Sequence, residues 1–336
     1  MDVDSIPLVD HHAHGILRAQ PSLDEFRGLF SESPDPRQWP HVATGVTYRR
    51  AIRELAALFD VEPTEDAVYA YRLEADPAGY AERLLQATGT ETLLVDDGFP
   101  APGDGTSWDE LGELAACDAR PVLRIERVAE EAGDDRIEAV RAEVASARAR
   151  GFAGLKTIAA YRGGLDFSEP EVTAVAEVVV AALEANEATG DPLPVQAHTG
   201  FGDSDLHLER ANPAYLKPLI ERFRETPFVL LHCYPYAREA GWLAHVYRNV
   251  FFDLSLTIPH VARPDEAVRE ALELAPVSKL LYASDAARTP ELYYLAARWW
   301  RGALATVLPE LLPGSDGEDA ARMILRDNAR VLYRLV

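Results

Sequence analysis

The sequence predicts an α/β fold in which one domain, residues 1–336, closes into a parallel (β/α)8 TIM barrel. Three observations predict it. Eight short apolar runs recur along the chain. Amphipathic helical patterns fill most of the gaps between them. Ionisable side chains interrupt several runs at or near their carboxyl ends. A doubly wound open sheet is the alternative reading of the same alternation.

"IPLVDHHAH" is the first strand. Residues 15–90 follow it and are too many for one crossover helix. They hold "TYRRAIRELAALFD", "EDAVYAYRLEA" and "PAGYAERLLQATG", so a helical insertion over the barrel mouth is expected. "TETLLVDDG" and "RPVLRIER" are the second and third strands. "DRIEAVRAEVASARARG" is a helix stopped by glycine, and "FAGLKTIAA" is the fourth strand. "EPEVTAVAEVVVAALEANEATG" ends the same way before the fifth strand, "LPVQAHTG". "NPAYLKPLIERFRET" opens on an Asn-Pro cap and first-turn pair and leads to "PFVLLHCY". "EAGWLAHVYRN" and "RPDEAVREALELAP" are the helices on either side of "NVFFDLSL", and "SKLLYASDA" is the eighth strand. Two amphipathic helices, "PELYYLAARWWRGALATVLPELL" and "GEDAARMILRDNARVLYRLV", close the chain.

Composition narrows the class. Hydrophobic residues make up 48% and charged residues 26%, as in a soluble globular chain. No apolar run approaches the roughly 20 residues that cross a bilayer. No basic region precedes an apolar stretch at the N-terminus, so a cytoplasmic location and no membrane partner are expected. The two cysteines, Cys117 and Cys233, give no disulfide framework. A net charge of −22 repels phosphate backbones, which leaves a small-molecule substrate rather than nucleic acid as the expected partner. The aromatic stretch "LYYLAARWW" reads as core or as a subunit contact, which leaves a homo-oligomer open.

Chemistry concentrates at the strand ends. With period-two alternation, Leu8, Asp10, His12 and His14 share one face of the first strand; Val9, His11 and Ala13 share the other. His12 and His14 then lie at the carboxyl end, where barrel enzymes carry their catalytic groups, and two alternate imidazoles can converge on one metal ion. His11 is expected to face the helices as a hydrogen-bonded core residue, with Cys233 also in the core. Lys156, His198, His232 and Asp285 end or nearly end the fourth, fifth, sixth and eighth strands. Buried groups of this kind are costly unless paired or metal-bound. His41, His245 and His260 lie on loops or helices away from these ends.

This set resembles the amidohydrolase superfamily: His12-Ala13-His14 on strand one, Lys156 on four, His198 on five, His232 on six and Asp285 on eight. The long insertion, "GLKTIAAYRGGL", "AHTGFGD" and "DNARVLY" make it similar to the amidohydrolase 2 branch. Within that branch it is most like the amidohydrolase-like domain fused to glutamine synthetase in some fungal and plant proteins. The resemblance implies a distorted barrel and a divalent cofactor, zinc or alternatively manganese, as one ion or two. It implies His12, His14, His198 and Asp285 as ligands, with Asp285 also taking the proton of the attacking water. His232 is either a ligand of a second ion or the group that polarises the substrate. Lys156 is either carbamylated and bridging two ions or an unmodified partner of Asp285 or a substrate carboxylate.

Tyr161 and Arg162, just past the fourth strand, are candidate substrate contacts; Arg49, with Arg50 beside it, could reach in from the insertion. Asp96 or Asp97 could orient a metal-binding histidine, and Asp203 or His207 could touch substrate. The reaction expected is hydrolysis of an amide-type C–N bond in a small carboxylate-bearing molecule, with a γ-glutamyl amide as the analogy. A non-oxidative decarboxylase, a sugar-acid isomerase and a non-catalytic metal-loaded barrel are the alternatives.

Overall fold

The computed structural model describes residues 1–96, 98–101 and 103–335. Eight strands form one sheet: β1 (Leu8–Ala13), β2 (Thr90–Asp96), β3 (Asp118–Arg124), β4 (Gly154–Thr157), β5 (Val195–Thr199), β6 (Phe228–His232), β7 (Val250–Asp253) and β8 (Leu280–Leu281). They stand in sequence order, and every paired neighbour is parallel. The last seam closes through the chain beyond β8, with His11 N donating to Tyr282 O (3.4 Å), Asp285 N to His12 O (3.0 Å) and His14 N to Ala286 O (2.9 Å). The structure is therefore the TIM barrel that the alternation predicts.

Strands that are not neighbours can touch only across the inside of a barrel. Val9, Leu94, Val122, Val229, Leu231 and Leu281, from five strands, pack into one cluster and so mark the interior. Ala329 and Tyr333 of the helix Asn328–Tyr333 join them and plug the barrel's amino-terminal end. Gly154 makes room for this plug, since a Cβ there would lie 3.2 Å from Tyr333 Cε1. The intervening residues, among them Leu8, Leu123, Leu155, Val195, Leu230 and Phe252, face outward into the layer of helices.

The insertion between β1 and β2 contains five helices, Leu23–Gly28, Trp39–Val42, Val46–Phe59, Glu65–Glu74 and Pro77–Gln86. Ser22, Thr64 and Asp76 cap three of them with side-chain oxygens on orphan backbone N–H groups. Its helices pack on the long helix Pro290–Leu311 rather than roofing the barrel. Arg72 pairs with buried Glu291, which also accepts from Tyr80 Oη at 2.7 Å. Trp299 Nε1 donates to Glu54 (2.8 Å), and Arg50 lies over the Trp299 ring (4.5 Å). Of the insertion, Glu32, Ser33 and Pro34 are the described residues that line the cavity at the mouth. Among the described residues, no helix is long and apolar enough to cross a membrane.

Candidate metal centre

A bulge in β1 builds the floor of the site. Asp10 pairs with Leu93 and Ala13 with Val95, so three steps along β1 match two along β2. The extra residue breaks the two-fold alternation. Ala13 packs outward beside Leu93 and Val95, yet His11 and His12 both face inward. This corrects the expectation that His11 points at the helices. Its Nε2 lies 2.9 Å from Asp253 Oδ2, and its Nδ1 is 3.2 Å from the hydroxyl of the Tyr333 plug.

Gln196 of β5 holds His12. Its Nε2 donates to His11 O (2.6 Å) and to Tyr333 Oη (3.0 Å), which leaves Oε1 to accept from His12 Nδ1 at 2.8 Å. His14 Nδ1 donates to the backbone O of Asp96 at 3.0 Å. Both imidazoles therefore carry a proton on Nδ1 and offer an Nε2 lone pair. Those lone pairs meet Asp285 Oδ1 at 3.1 Å from His12 and 3.2 Å from His14. Burial, with Lys156 nearby, holds the His12 pKa down at about 4, so the ring is neutral at pH 7. Burial alone would raise Asp285, but the adjacent His232, His12 and His14 keep it well below the usual carboxylate range. Three acceptors within 4.8 Å of one another could hold a cation between them. Two imidazole Nε2 atoms and one carboxylate are a donor set that fits a divalent ion of the zinc type.

Lys156 Nζ approaches His12 Nε2 at 3.2 Å, and burial pushes its pKa down to about 8. His198 and His232 stand beside this triad, on adjacent strands. His232 Nε2 is 3.0 Å from His198 Nδ1, and His232 Nδ1 is 3.7 Å from Asp285 Oδ2. Ser255 Oγ lies 2.7 Å from His232 Nδ1 and donates to Asp253 Oδ1, also at 2.7 Å. His198 Nε2 is buried and has no hydrogen-bond partner among the described residues. Burial pulls both imidazoles well below their ordinary pKa, so both are neutral.

Backbone strain concentrates here. Of the seven non-glycine residues described with positive φ, three close helices (Asp60, Ala116 and Arg334). The other four are His232, Cys233, Asp285 and Arg288, at or just beyond the carboxyl ends of β6 and β8. Such conformations persist only where the surroundings impose them, and they cluster at functional sites.

A cavity of about 400 Å³ opens above this centre. His14, Lys156, His198, His232 and Asp285 form its floor; Tyr161, Arg162, Asp203 and Arg124 are on its walls. The Tyr161 ring lies 4.6 Å from that of His198. Arg162 lines the cavity but is exposed and paired with Glu130 at 2.8 Å. Arg49 is placed elsewhere. It is exposed on the insertion, with Nε 3.3 Å from Ala43 O, because its helix packs on the barrel's flank. Asp96 contributes its backbone oxygen to His14, while its carboxylate is held by Arg124 (2.7 Å). Asp97 lies outside the described residues. His207 is not among the cavity's lining residues. His41 is exposed away from the cavity, and His245 Nδ1 faces Leu274 O. Cys233 is buried in the apolar core, its Sγ 3.3 Å from Leu230 O.

Sequence reasoning passed over Gln196, Asp253, Ser255, Arg124, Glu32 and Arg288, and it set His260 away from the site, whereas the fold brings that residue to the cavity lining beside Glu32. Gln196 and Asp253 carried a signal, being polar residues inside the apolar runs "LPVQAH" and "VFFDLS". The others lie on loops or beside unpredicted partners.

A family model described as Amidohydrolase matches residues 9–335. The chain belongs to that family. Among curated proteins, Protein fluG of Emericella nidulans is 29% identical, over 99% of this chain and 46% of its own length. The chain thus spans about half of that relative. A solved structure from Lactobacillus casei, described as a metal-dependent hydrolase, shares 29% identity. It superposes with a TM-score of 0.87 over 99% of this chain and 96% of its own. 5-Carboxyvanillate decarboxylase LigW from Sphingomonas paucimobilis shares the fold, at a TM-score of 0.51 and 14% identity, over 99% and 100% of the two chains. This amidohydrolase therefore shares its barrel with proteins described as a metal-dependent hydrolase and as a decarboxylase.

Proposed function

We propose that this amidohydrolase cleaves the C–N bond of a small carboxylate-bearing amide, with γ-glutamyl amides as the first class to test. The observation that carries the reading is the convergence of three acceptors, His12 Nε2, His14 Nε2 and Asp285 Oδ1, at the carboxyl ends of the first and eighth strands. His12, His14 and Asp285 would hold a divalent ion, proposed to be zinc, and His198, with its free Nε2, would be the further ligand. When bound, such an ion acidifies water and polarises a carbonyl oxygen.

Asp285 takes the proton from the attacking water and returns it to the departing nitrogen, giving a carboxylic acid and an amine or ammonia. His232, 3.7 Å from Asp285, accepts from His198 Nδ1 at 3.0 Å and so keeps the His198 Nε2 lone pair open, a positioning role rather than a direct contact with the carbonyl oxygen. Lys156, lowered to about 8, keeps a neutral fraction at pH 7. That amine is available to form a carbamate with CO₂, which would add an oxygen donor to the set; otherwise Lys156 stays unmodified as a partner of Asp285 or of a substrate carboxylate. Tyr161 borders the substrate on the side of His198.

The test combines elemental analysis of the purified protein, intact mass for a carbamate on Lys156, and a substrate panel. γ-Glutamyl amides should release amine or ammonia with no CO₂ from aromatic acids. CO₂ release alone would replace the hydrolase reading with a lyase.

A further inference from the structure

Three arginines line the cavity, and two are already neutralised. Arg124 holds Asp96 through Nε and Nη2, at 3.0 and 2.7 Å, and gives Nη1 to Gly98 O (3.3 Å). Arg162 gives Nε and Nη2 to Glu130, at 3.0 and 2.8 Å. Arg288 differs. Its nearest carboxylate, Glu32, stands 3.8 Å away, beyond hydrogen-bond reach. Its Nη2 donates to Ser31 O (3.0 Å), and its Nε is buried without a partner among the described residues.

The backbone fixes where this guanidinium stands. Arg288 N donates to Gly15 O and Arg288 O accepts from Leu17 N, each at 2.9 Å, with φ at +66°. Glu32 is likewise uncommitted. Among the described residues its nearest nitrogen partners are Arg288 Nη2 and His260 Nε2, each at 3.8 Å, and it faces the same cavity. His260 has its Nδ1 tied to Leu256 O at 2.8 Å. The rim therefore holds an open guanidinium next to an open carboxylate. Asp203 and Asp205 on the opposite loop add negative charge.

A purely anionic ligand would meet these three acids. A purely cationic one would meet Arg288 and the lysine below. A zwitterion satisfies both open groups. We propose that the cavity rim binds an α-amino acid headgroup, its carboxylate on Arg288 and its ammonium on Glu32. This rests on the hydrolase reading for what happens at the other end of the molecule, and it assigns substrate recognition to Arg288 rather than to Arg162 or Arg49. A guanidinium matches a carboxylate through charge-assisted bonds, and that of Arg288, held at the cavity lining, has no carboxylate of the described residues within hydrogen-bond reach.

Calorimetric titration of the full chain, as purified, with L-glutamate, glutarate and 4-aminobutyrate reads the two halves separately. Glutarate lacks the ammonium and 4-aminobutyrate lacks the α-carboxylate. L-Glutamate should bind about tenfold or more tighter than either, the size expected for one charge-assisted bond. Arg288→Gln should bring L-glutamate down to the affinity of 4-aminobutyrate, and Glu32→Gln down to that of glutarate. If glutarate binds the unaltered protein as well as L-glutamate, or if none of the three binds, the proposal fails. It also fails if Arg288→Gln weakens all three equally, which would give Arg288 only the role of fastening Ser31. Amine release from γ-glutamyl amides is scored independently. Release without headgroup selectivity overturns this inference alone, and selectivity without release overturns the hydrolytic reading alone.

Discussion

Gln196→Leu removes no metal-binding atom, yet it should weaken metal binding. The side chain makes three buried contacts: to His12 Nδ1 at 2.8 Å, His11 O at 2.6 Å and Tyr333 Oη at 3.0 Å. Leucine fills a similar volume and makes none. Up to three buried polar groups lose a partner, at about 1 kcal/mol or more each, so the folded state should lose roughly 3 kcal/mol. The second consequence is chemical. Without Oε1, nothing holds the His12 proton on Nδ1, and the ring can flip its tautomer and close its Nε2 lone pair. Loss of such a supporting acceptor typically weakens metal binding about 10–100-fold, or about 1.4–2.7 kcal/mol. Competition against a chromophoric chelator measures the affinity, and urea unfolding of the metal-stripped protein measures the stability. Weakened stability with unchanged metal affinity would refute the tautomer argument and leave Gln196 as packing.

Three other outcomes follow from the same structure. Asp285→Asn should cut turnover about 10²–10⁴-fold in a steady-state amine-release assay, since the amide can neither take nor return the proton; full activity would remove Asp285 from the proton path. Glu291→Gln strands Arg72, which sits buried against it with Tyr80, and should cost about 3–5 kcal/mol in urea unfolding, with the insertion released first in hydrogen exchange. Glu126→Gln tests pH dependence. Burial raises the Glu126 pKa above its usual 4.5, and its Oε2 has no partner among the described residues. A carboxyl with a raised folded pKa contributes stability that is full below about pH 4.5 and lost as pH rises through the higher value. The variant should therefore gain on the unaltered protein as pH climbs from 4 to 7, and a difference that does not vary with pH would show Glu126 to be unperturbed.

The barrel was legible because parallel strands, covered on both faces, must read as continuous apolar runs, and "PFVLLH" or "TETLLVD" cannot be much else. The convergence of His12, His14 and Asp285 was legible for a related reason. A charged or imidazole side chain at the end of such a run has to find a partner, and in a closed barrel all these ends meet. The position of His11 was not legible. Period two assumes an unbroken register, and the extra residue between Asp10 and Ala13 leaves no compositional mark. Arginine roles were opaque for a different cause. Arg49, Arg162 and Arg288 look alike in sequence; what separates them is the distance to the nearest carboxylate. Glu130 lies 32 residues before Arg162, and Glu32 comes to Arg288 from the insertion.

The protonation pattern of the site follows from two groups that can only accept. One is the backbone carbonyl of His11, which orients the Gln196 amide and so puts the His12 proton on Nδ1. The other is the carboxylate of Asp253. The Ser255 hydroxyl spends its proton there, so its oxygen must accept from His232 Nδ1–H; His232 Nε2 then accepts from His198 Nδ1–H, and the His198 Nε2 lone pair is left open. The same carboxylate faces His11 Nε2–H, whose Nδ1 accepts from Tyr333 Oη–H, while that oxygen accepts from Gln196 Nε2. The two chains of polarity meet at His11, so the protons of His12 and His198 are both placed on Nδ1 and their Nε2 atoms are left unprotonated. This explains why Tyr333, far along the chain from the histidines, occupies the bottom of the barrel. It is a plug for the core and also the link that lets one carboxylate and one carbonyl dictate tautomers on β1, β5 and β6 together.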